Sequence, residues 1–232
     1  MPDYKLIYQS QAEQYDRLVA HEDYQHNLIR VLAQISSMRN VDVIEFGAGT
    51  GRLALLLTPH ARSIILSDIS RSMLEVALKK LQALPRKNWQ VVVADNRAIP
   101  LPDQCADVSI AGWSLGHTCG WYPGTWPSEI RRAVDQMQRL LRSNGALIIL
   151  ESLGTGSEVP HPPTAALAAY YSMLENELGF KSMWFRTDYH FNSVAEAAEL
   201  TRFFFGDGLA DRIVRDNVTI LPECTGLWYR TG

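Results

Sequence analysis

No window of this 232-residue chain approaches 18 consecutive apolar residues, so it offers no segment long enough to cross a bilayer as a helix. The start, Met1-Pro2-Asp3-Tyr4-Lys5, runs into polar sequence (Gln9, Gln11, Glu13, Gln14) without the apolar stretch of a signal peptide. Cysteine is scarce. Cys105, Cys119 and Cys224 are odd in number and form no C-x-x-C pair, which argues against a disulfide framework or a zinc site and leaves them as idle thiols. Positive charge is not in excess either: a formal net charge of −3 gives no overall field to hold a phosphate backbone, which argues against a nucleic-acid substrate. The expectation is a cytoplasmic protein with no membrane insertion. There is no internal repeat or low-complexity tract, and 47% hydrophobic residues suffice for the core of one domain over residues 1–232.

What is present is a rhythm. The stretch Tyr8 to Ile35 has helical spacing (Leu18, Tyr24, Leu28, Val31, Leu32, Ile35) and reads as one or two helices in an N-terminal segment 1–40. Short apolar runs then alternate with amphipathic helices. Strand 41–46 is followed by helix 52–57, strand 63–67, helix 71–84, strands 89–94 and 106–112, helix 126–141 and strand 146–151. Such alternation predicts an α/β fold whose parallel sheet is buried on both faces. Ser70 is placed to cap one helix, Ser128 lies near the start of another, and Asn144-Gly145 reads as a left-handed helix stop. After Glu151 the pattern changes. Gly154 to Pro163 is rich in breakers, and a helix from about Thr164 to Leu178 completes what reads as a substrate-side insertion over roughly 152–181. A strand-like stretch 182–191, a helix 193–205, a polar turn Gly206-Asp207-Gly208 and a final strand from Val218 towards Tyr229 close the chain.

The seven residues Glu45-Phe46-Gly47-Ala48-Gly49-Thr50-Gly51 join the first strand to the next helix. Alternate glycines let backbone come within van der Waals reach of a flat ligand, because glycine lacks a Cβ and tolerates positive φ. Alone, the loop is compatible with a nucleotide site or a structural turn. Arg52 stands where the dinucleotide fingerprint G-x-G-x-x-G needs its third glycine, which weakens an NAD reading. Open α/β sheets bind ligands at the carboxyl ends of their strands, and three successive strands here end in acids: Glu45, Asp68 (followed by Ile69) and Asp95 (followed by Asn96). Each aspartate alone reads equally as a helix cap or turn residue.

Together, E-x-G-x-G-x-G and the acidic strand ends resemble the class I S-adenosylmethionine (SAM) dependent methyltransferases over residues 40–151. The phrase Leu140-Leu141-Arg142-Ser143-Asn144-Gly145-Ala146-Leu147 is similar to that family's L-x-P-G-G stretch, with serine and asparagine replacing the proline and first glycine. The subgroup it is most similar to is the small-molecule type of ubiquinone and menaquinone biosynthesis, from Ala94-Asp95, Pro100-Leu101-Pro102-Asp103 and Ser114-Leu115-Gly116-His117. The resemblance implies a Rossmann-like, seven-stranded sheet of order 3-2-1-4-5-7-6 with an antiparallel last strand. It implies SAM as cofactor, held by Glu45, Gly47, Ala48, Gly49 and Gly51 at the methionyl and ribose parts. It also implies Asp68 on the ribose hydroxyls, Asp95 and Asn96 at the adenine edge, Ile69 on the adenine face, and Trp113 nearby. Tyr15 stands where similar enzymes close an aromatic residue over SAM, and reads equally as a helix-packing residue.

The acceptor side follows strand 106–112. There His117 is the best-placed titratable group for a catalytic base, although a hydrogen-bonded loop histidine explains it as well. His190, beside Tyr189 and Phe191, is a weaker candidate, and His161, in a proline-rich loop, reads as a surface residue. Aromatics at Trp113, Trp121, Tyr122, Trp126, Tyr170, Tyr171, Trp184 and Phe185 suit either an apolar acceptor pocket or plain core packing. Strand 4 reads Ala111-Gly112-Trp113-Ser114 in place of the D/N-P-P-Y/F/W signature of base-amine methylation, and no acidic cluster follows it to hold a metal. The reading is an enzyme moving a methyl group from SAM to a small molecule, with a non-catalytic SAM-fold binding protein and an NAD-linked oxidoreductase as alternatives.

Overall fold

The computed structural model describes residues 4–232. Three helices precede the first strand, α1 (Tyr4–Ser10), α2 (Ala12–Val19) and α3 (Asn27–Ile35), where the spacing implied one or two. Asp23, left-handed at φ 60°, makes the last break: its carboxylate accepts from the amides of Asn27 (2.8 Å) and Leu28 (3.0 Å), donors that the first turn of α3 cannot satisfy internally.

The alternating part runs β1 (Asp42–Phe46), α4 (Arg52–Leu57), β2 (Ser63–Asp68), α5 (Arg71–Ala83), β3 (Trp89–Val93) and β4 (Ala106–Gly112). It continues with α6 (His117–Trp121), α7 (Trp126–Leu140), β5 (Leu141–Thr155), α8 (Ala165–Asn176), β6 (Lys181–Arg186) and β7 (Tyr189–His190). The chain closes with α9 (Val194–Phe205), α10 (Asp207–Asp216), β8 (Ile220–Leu221) and β9 (Glu223–Thr231). Seven strands form one sheet in the order β3-β2-β1-β4-β5-β9-β6. The strands from β3 to β5 pair in parallel, while β9, the seventh sheet strand along the chain, lies antiparallel between β5 and β6. This is the expected 3-2-1-4-5-7-6 topology. Strand alternation splits the core in two: Val43 of β1 joins Leu32, Leu53, Leu57 and Leu74 from α3 to α5, while Ile44 and Phe46 join Ile130, Met137 and Tyr170 from α7 and α8.

Several local expectations fail, each for a visible reason. Helix α7 ends at Leu140 because Leu141 already takes extended angles, and β5 starts there; neither Asn144 nor Gly145 is left-handed. Gly145 serves close packing instead, since a Cβ there would lie 2.9 Å from the Asp107 carbonyl oxygen. Ser128 does lie in the first turn of α7, as expected, while Thr125 is the N-cap and accepts from the Ser128 hydroxyl at 2.8 Å through its carbonyl. The stretch 182–191 breaks at Thr187-Asp188, where the Asp188 carboxylate accepts from the Arg186 guanidinium (2.6 and 2.9 Å) and the Glu223 amide (2.9 Å). The polar turn at 206–208 is the start of helix α10, with Gly206 at φ 90° as the corner after α9. Pro222, which has no N–H to donate, separates β8 from β9. The 152–181 stretch starts inside β5, and its helix α8 packs behind α6.

Candidate active site

The carboxyl ends of β1 to β4 open on a cavity of about 400 Å³, within the usual size of small-molecule sites. Its wall contains Glu45, Gly47, Ala48, Gly49, Asp68, Ile69, Asp95, Asn96, Trp113, Tyr15 and His117, so eleven sequence-predicted residues from seven chain segments converge. Gly51 does not line it. As the left-handed N-cap of α4 (φ 82°) it faces α5, where an added Cβ would sit 3.0 Å from the Ala77 Cβ.

The glycine loop is shaped by neighbours as well as by its own freedom. Gly47 has φ 64°, and a Cβ there would fall 2.3 Å from the Ser114 Cβ, so the loop crosses the end of β4 at a distance only glycine allows. Gly47→Ala is therefore expected to lower stability by about 2–4 kcal/mol, combining overpacking with a left-handed alanine. The double variant Gly47→Ala/Ser114→Gly should recover the packing part. Urea melts read both, and a wild-type midpoint in the single variant would contradict the crossing.

The three acids sit in different electrostatic settings. Glu45, 2% exposed, leaves Oε2 buried without a hydrogen-bond partner among the described residues, and burial together with the nearby Asp68 charge pushes its carboxyl up to about 8. Asp68 is preorganised: Oδ2 accepts from the Gly49 amide (2.8 Å) and Oδ1 from the Ser70 amide (2.7 Å), while burial raises its pKa. Asp95 is held by its own neighbour. Oδ1 accepts from the Arg97 amide and Nε (both 2.8 Å) and Oδ2 from Nη2 (2.5 Å), and this pairing lowers its pKa. Arg97 also donates to Glu129 at 2.8 Å and lies over the Tyr122 ring. Beside Asp95, the Asn96 Oδ1 is buried and unpartnered among the described residues. Ile69 is 62% exposed on the cavity rim, an apolar face available to a flat ring.

The opposite wall comes from α1, α2 and α6. Tyr8 shares a 2.8 Å hydrogen bond between its hydroxyl and His117 Nε2, and its carbonyl accepts from the hydroxyls of Ser70 (2.8 Å) and Ser72 (2.7 Å). Tyr15 meets the Tyr8 ring edge-on at 5.4 Å and contacts Phe204 at 5.2 Å, so it both lines the cavity and packs its helix. Burial pushes the His117 imidazole down to about 4 and the Tyr15 phenol up to about 12. His117 is thus neutral at physiological pH, stacked on Trp121 at 5.2 Å.

Other expectations are corrected. His190 is exposed on β7, outside the cavity wall, whereas His161 lies as expected in a surface loop, against the Val159 carbonyl. Trp121 and Tyr122 line the cavity, whereas Tyr170, Tyr171 and Phe185 belong to the core and Trp184 is exposed on β6. Trp126 packs against the α7–α8 core, and no residue of 152–181 reaches the wall. Sequence reasoning missed Tyr8, Lys5, Arg52, Ser114 and Arg97. For Tyr8 a signal existed: it precedes Tyr15 by two helical turns, although the break at Gln11 puts them on separate helices.

Residues 44–149 match the family described as a methyltransferase domain. The chain is similar to the uncharacterized methyltransferase YcgJ of Bacillus subtilis, 26% identical over 109 residues, which are 47% of this chain and 40% of that protein. It is also similar to the demethylmenaquinone methyltransferase of Thermotoga maritima, 29% identical over 126 residues, 53% of this chain and 49% of that enzyme. The chain thus spans about half the length of these curated relatives. In fold it is similar to the crystal structure of the Bacillus YcgJ protein, with a TM-score of 0.61 at 15% identity, covering 90% of this chain and 100% of that one. Among the described residues, no helix is long and apolar enough to cross a membrane.

Proposed function

We propose that this chain, whose residues 44–149 match a methyltransferase domain, is a class I SAM-dependent methyltransferase that moves a methyl group from SAM to a small-molecule acceptor by in-line displacement. The observation that carries the reading is the convergence of Glu45, Asp68 and the glycine bend on one cavity whose facing wall holds His117 and Tyr8. The wall suits SAM. The Glu45 Oε2, unpartnered among the described residues, is complementary to an ammonium, and the glycine bend brings backbone to the cavity wall at Gly47, Ala48 and Gly49. When bound, SAM supplies a methyl group on a sulfonium that becomes a neutral thioether on transfer.

The chain's own residues hold and align. Asp68, with one lone pair on each oxygen tied to a loop amide, keeps the others for ribose hydroxyls. Ile69 supports the adenine face, and Asn96 Oδ1 and the remaining acceptor capacity of Asp95 serve its polar edge. Tyr15 and Tyr8 exclude water above the reacting centre, which favours a displacement that disperses charge. His117, held neutral and steered by Tyr8, takes the proton of an acceptor whose attacking atom carries one. In this reading residues 1–232 act as one domain, with helices α1 to α3 as its cover and 152–181 as a brace behind α6. The acceptor is a small molecule and not a nucleic acid, in keeping with the net charge of −3. A cytoplasmic setting agrees with the three free thiols.

Release of S-adenosylhomocysteine across a panel of small acceptors tests the proposal. SAM binding with no release for any acceptor would favour the non-catalytic reading. His117→Ala is expected to lower kcat by roughly 100-fold, the size of a lost general base, while changing SAM affinity less than about threefold. Unchanged kcat would leave His117 as a packing residue.

A further inference from the structure

Arg52, the residue that breaks the dinucleotide fingerprint, has no part in the assignments above, yet its guanidinium stands in the cavity wall. One edge is ion-paired to Glu22, and the plane lies on the Trp113 ring with Cζ 3.3 Å from the centroid. The bracket behind it is buried. The Glu22 side chain is 4% exposed, and its second oxygen accepts from the Thr187 hydroxyl at 3.0 Å, which shares a 2.6 Å hydrogen bond with Thr225. Trp113 is itself held in a left-handed conformation at φ 50°, costly for a bulky residue and found where surroundings fix it. Such support locks the orientation of a planar fork and, among the described residues, leaves Nε and Nη2 without a hydrogen bond.

The three cations of the wall are not equivalent. Arg97 is committed to Asp95 and Glu129, and Lys5 lies over Trp121 on the acceptor side. Arg52 begins the helix that follows the glycine loop, and Glu45 stands on the strand that precedes it, so opposite charges flank the two ends of one loop. That arrangement matches an α-amino acid zwitterion. We propose that Arg52 is the receptor for the α-carboxylate of the methionyl group opposite Glu45 at its ammonium, and that Glu22 is the positioning residue that aims the guanidinium. This rests on the cofactor reading above.

Binding calorimetry with SAM and with decarboxylated SAM, which keeps the sulfonium and ammonium but lacks the carboxylate, tests it. Wild-type protein is expected to prefer SAM by about 30-fold, the size of a charge-assisted fork. Arg52→Gln should remove that preference by weakening SAM while leaving decarboxylated SAM within about twofold. Glu22→Gln, which keeps the guanidinium but loosens its aim, should cut the preference by about three- to tenfold. Arg52→Lys serves where Arg52→Gln does not fold, with the preference reduced at least about fivefold because a point charge replaces the fork. Equal weakening of both ligands by the Arg52 variant, or no wild-type preference, would overturn the assignment. If the wild type bound neither ligand, the cofactor reading itself would fall, a result distinct from the loss of preference.

Discussion

Asp68→Ala is expected to weaken SAM binding by about 2–3 kcal/mol, roughly 30- to 150-fold in Kd. Two contributions act together. The variant loses the charged acceptor for the ribose hydroxyls, and it releases the Gly49 and Ser70 amides that now converge on the carboxylate at 2.8 and 2.7 Å. The second loss leaves the glycine bend less defined before the ligand arrives. Asp68→Asn, which keeps one oxygen, should fall between. Calorimetric titration reads the change, and a Kd unaltered in the alanine variant would take Asp68 out of the site.

An effect of similar size is expected from pH. In the ligand-free protein Glu45 is raised to about 8, so at pH 6 it carries a proton. A cationic ligand beside Oε2 favours the ionised form, and binding therefore releases a proton. Below pH 8 the association constant should rise by nearly tenfold per pH unit and then level off. Glu45→Gln should flatten the profile, matching the wild type near pH 6 and falling behind it at pH 8. Stability moves the other way. Glu45, Glu151 and Glu223, each raised to about 8 by burial first, bind protons more tightly folded than unfolded. Their contribution is full below the unfolded value of 4.5 and lost as pH rises through about 8. The Tm of the ligand-free protein should fall across that window while the shift produced by SAM grows. A pH-independent affinity would contradict the assignment of Glu45 as the ammonium partner.

The sheet and the cofactor half were readable because their signals are local. Alternating apolar runs and helical spacing gave β1 to β4 and their helices, and glycines at 47, 49 and 51 followed by acids at strand ends placed the bend and its wall. What stayed hidden depends on chain segments far apart in sequence. Tyr8 matters because α1 folds back onto His117, 109 positions away, and the spacing of Tyr8 from Tyr15 points to a shared face but not to that contact. Arg52 read as a negative sign, the missing glycine, since its value comes from Glu22 and Trp113 on other elements. Two glycines within three residues disguised the start of α10, because intrinsic propensity there points away from helix while packing of Ala210 and Ile213 decides for it. Tyr170 and Trp184 show the limit of aromatic counting: one fills the core against α7 and the other faces out from the edge strand.

The central claim is that Glu45, Asp68 and the glycine bend form one receptor for an adenosyl amino acid. Titrating S-adenosylhomocysteine into the wild type and the Asp68→Ala and His117→Ala variants at pH 8 addresses it most directly. A single site per chain is expected, weakened at least about 30-fold by Asp68→Ala and by less than about threefold by His117→Ala. No heat of binding in the wild type, or equal affinity in all three proteins, would contradict it.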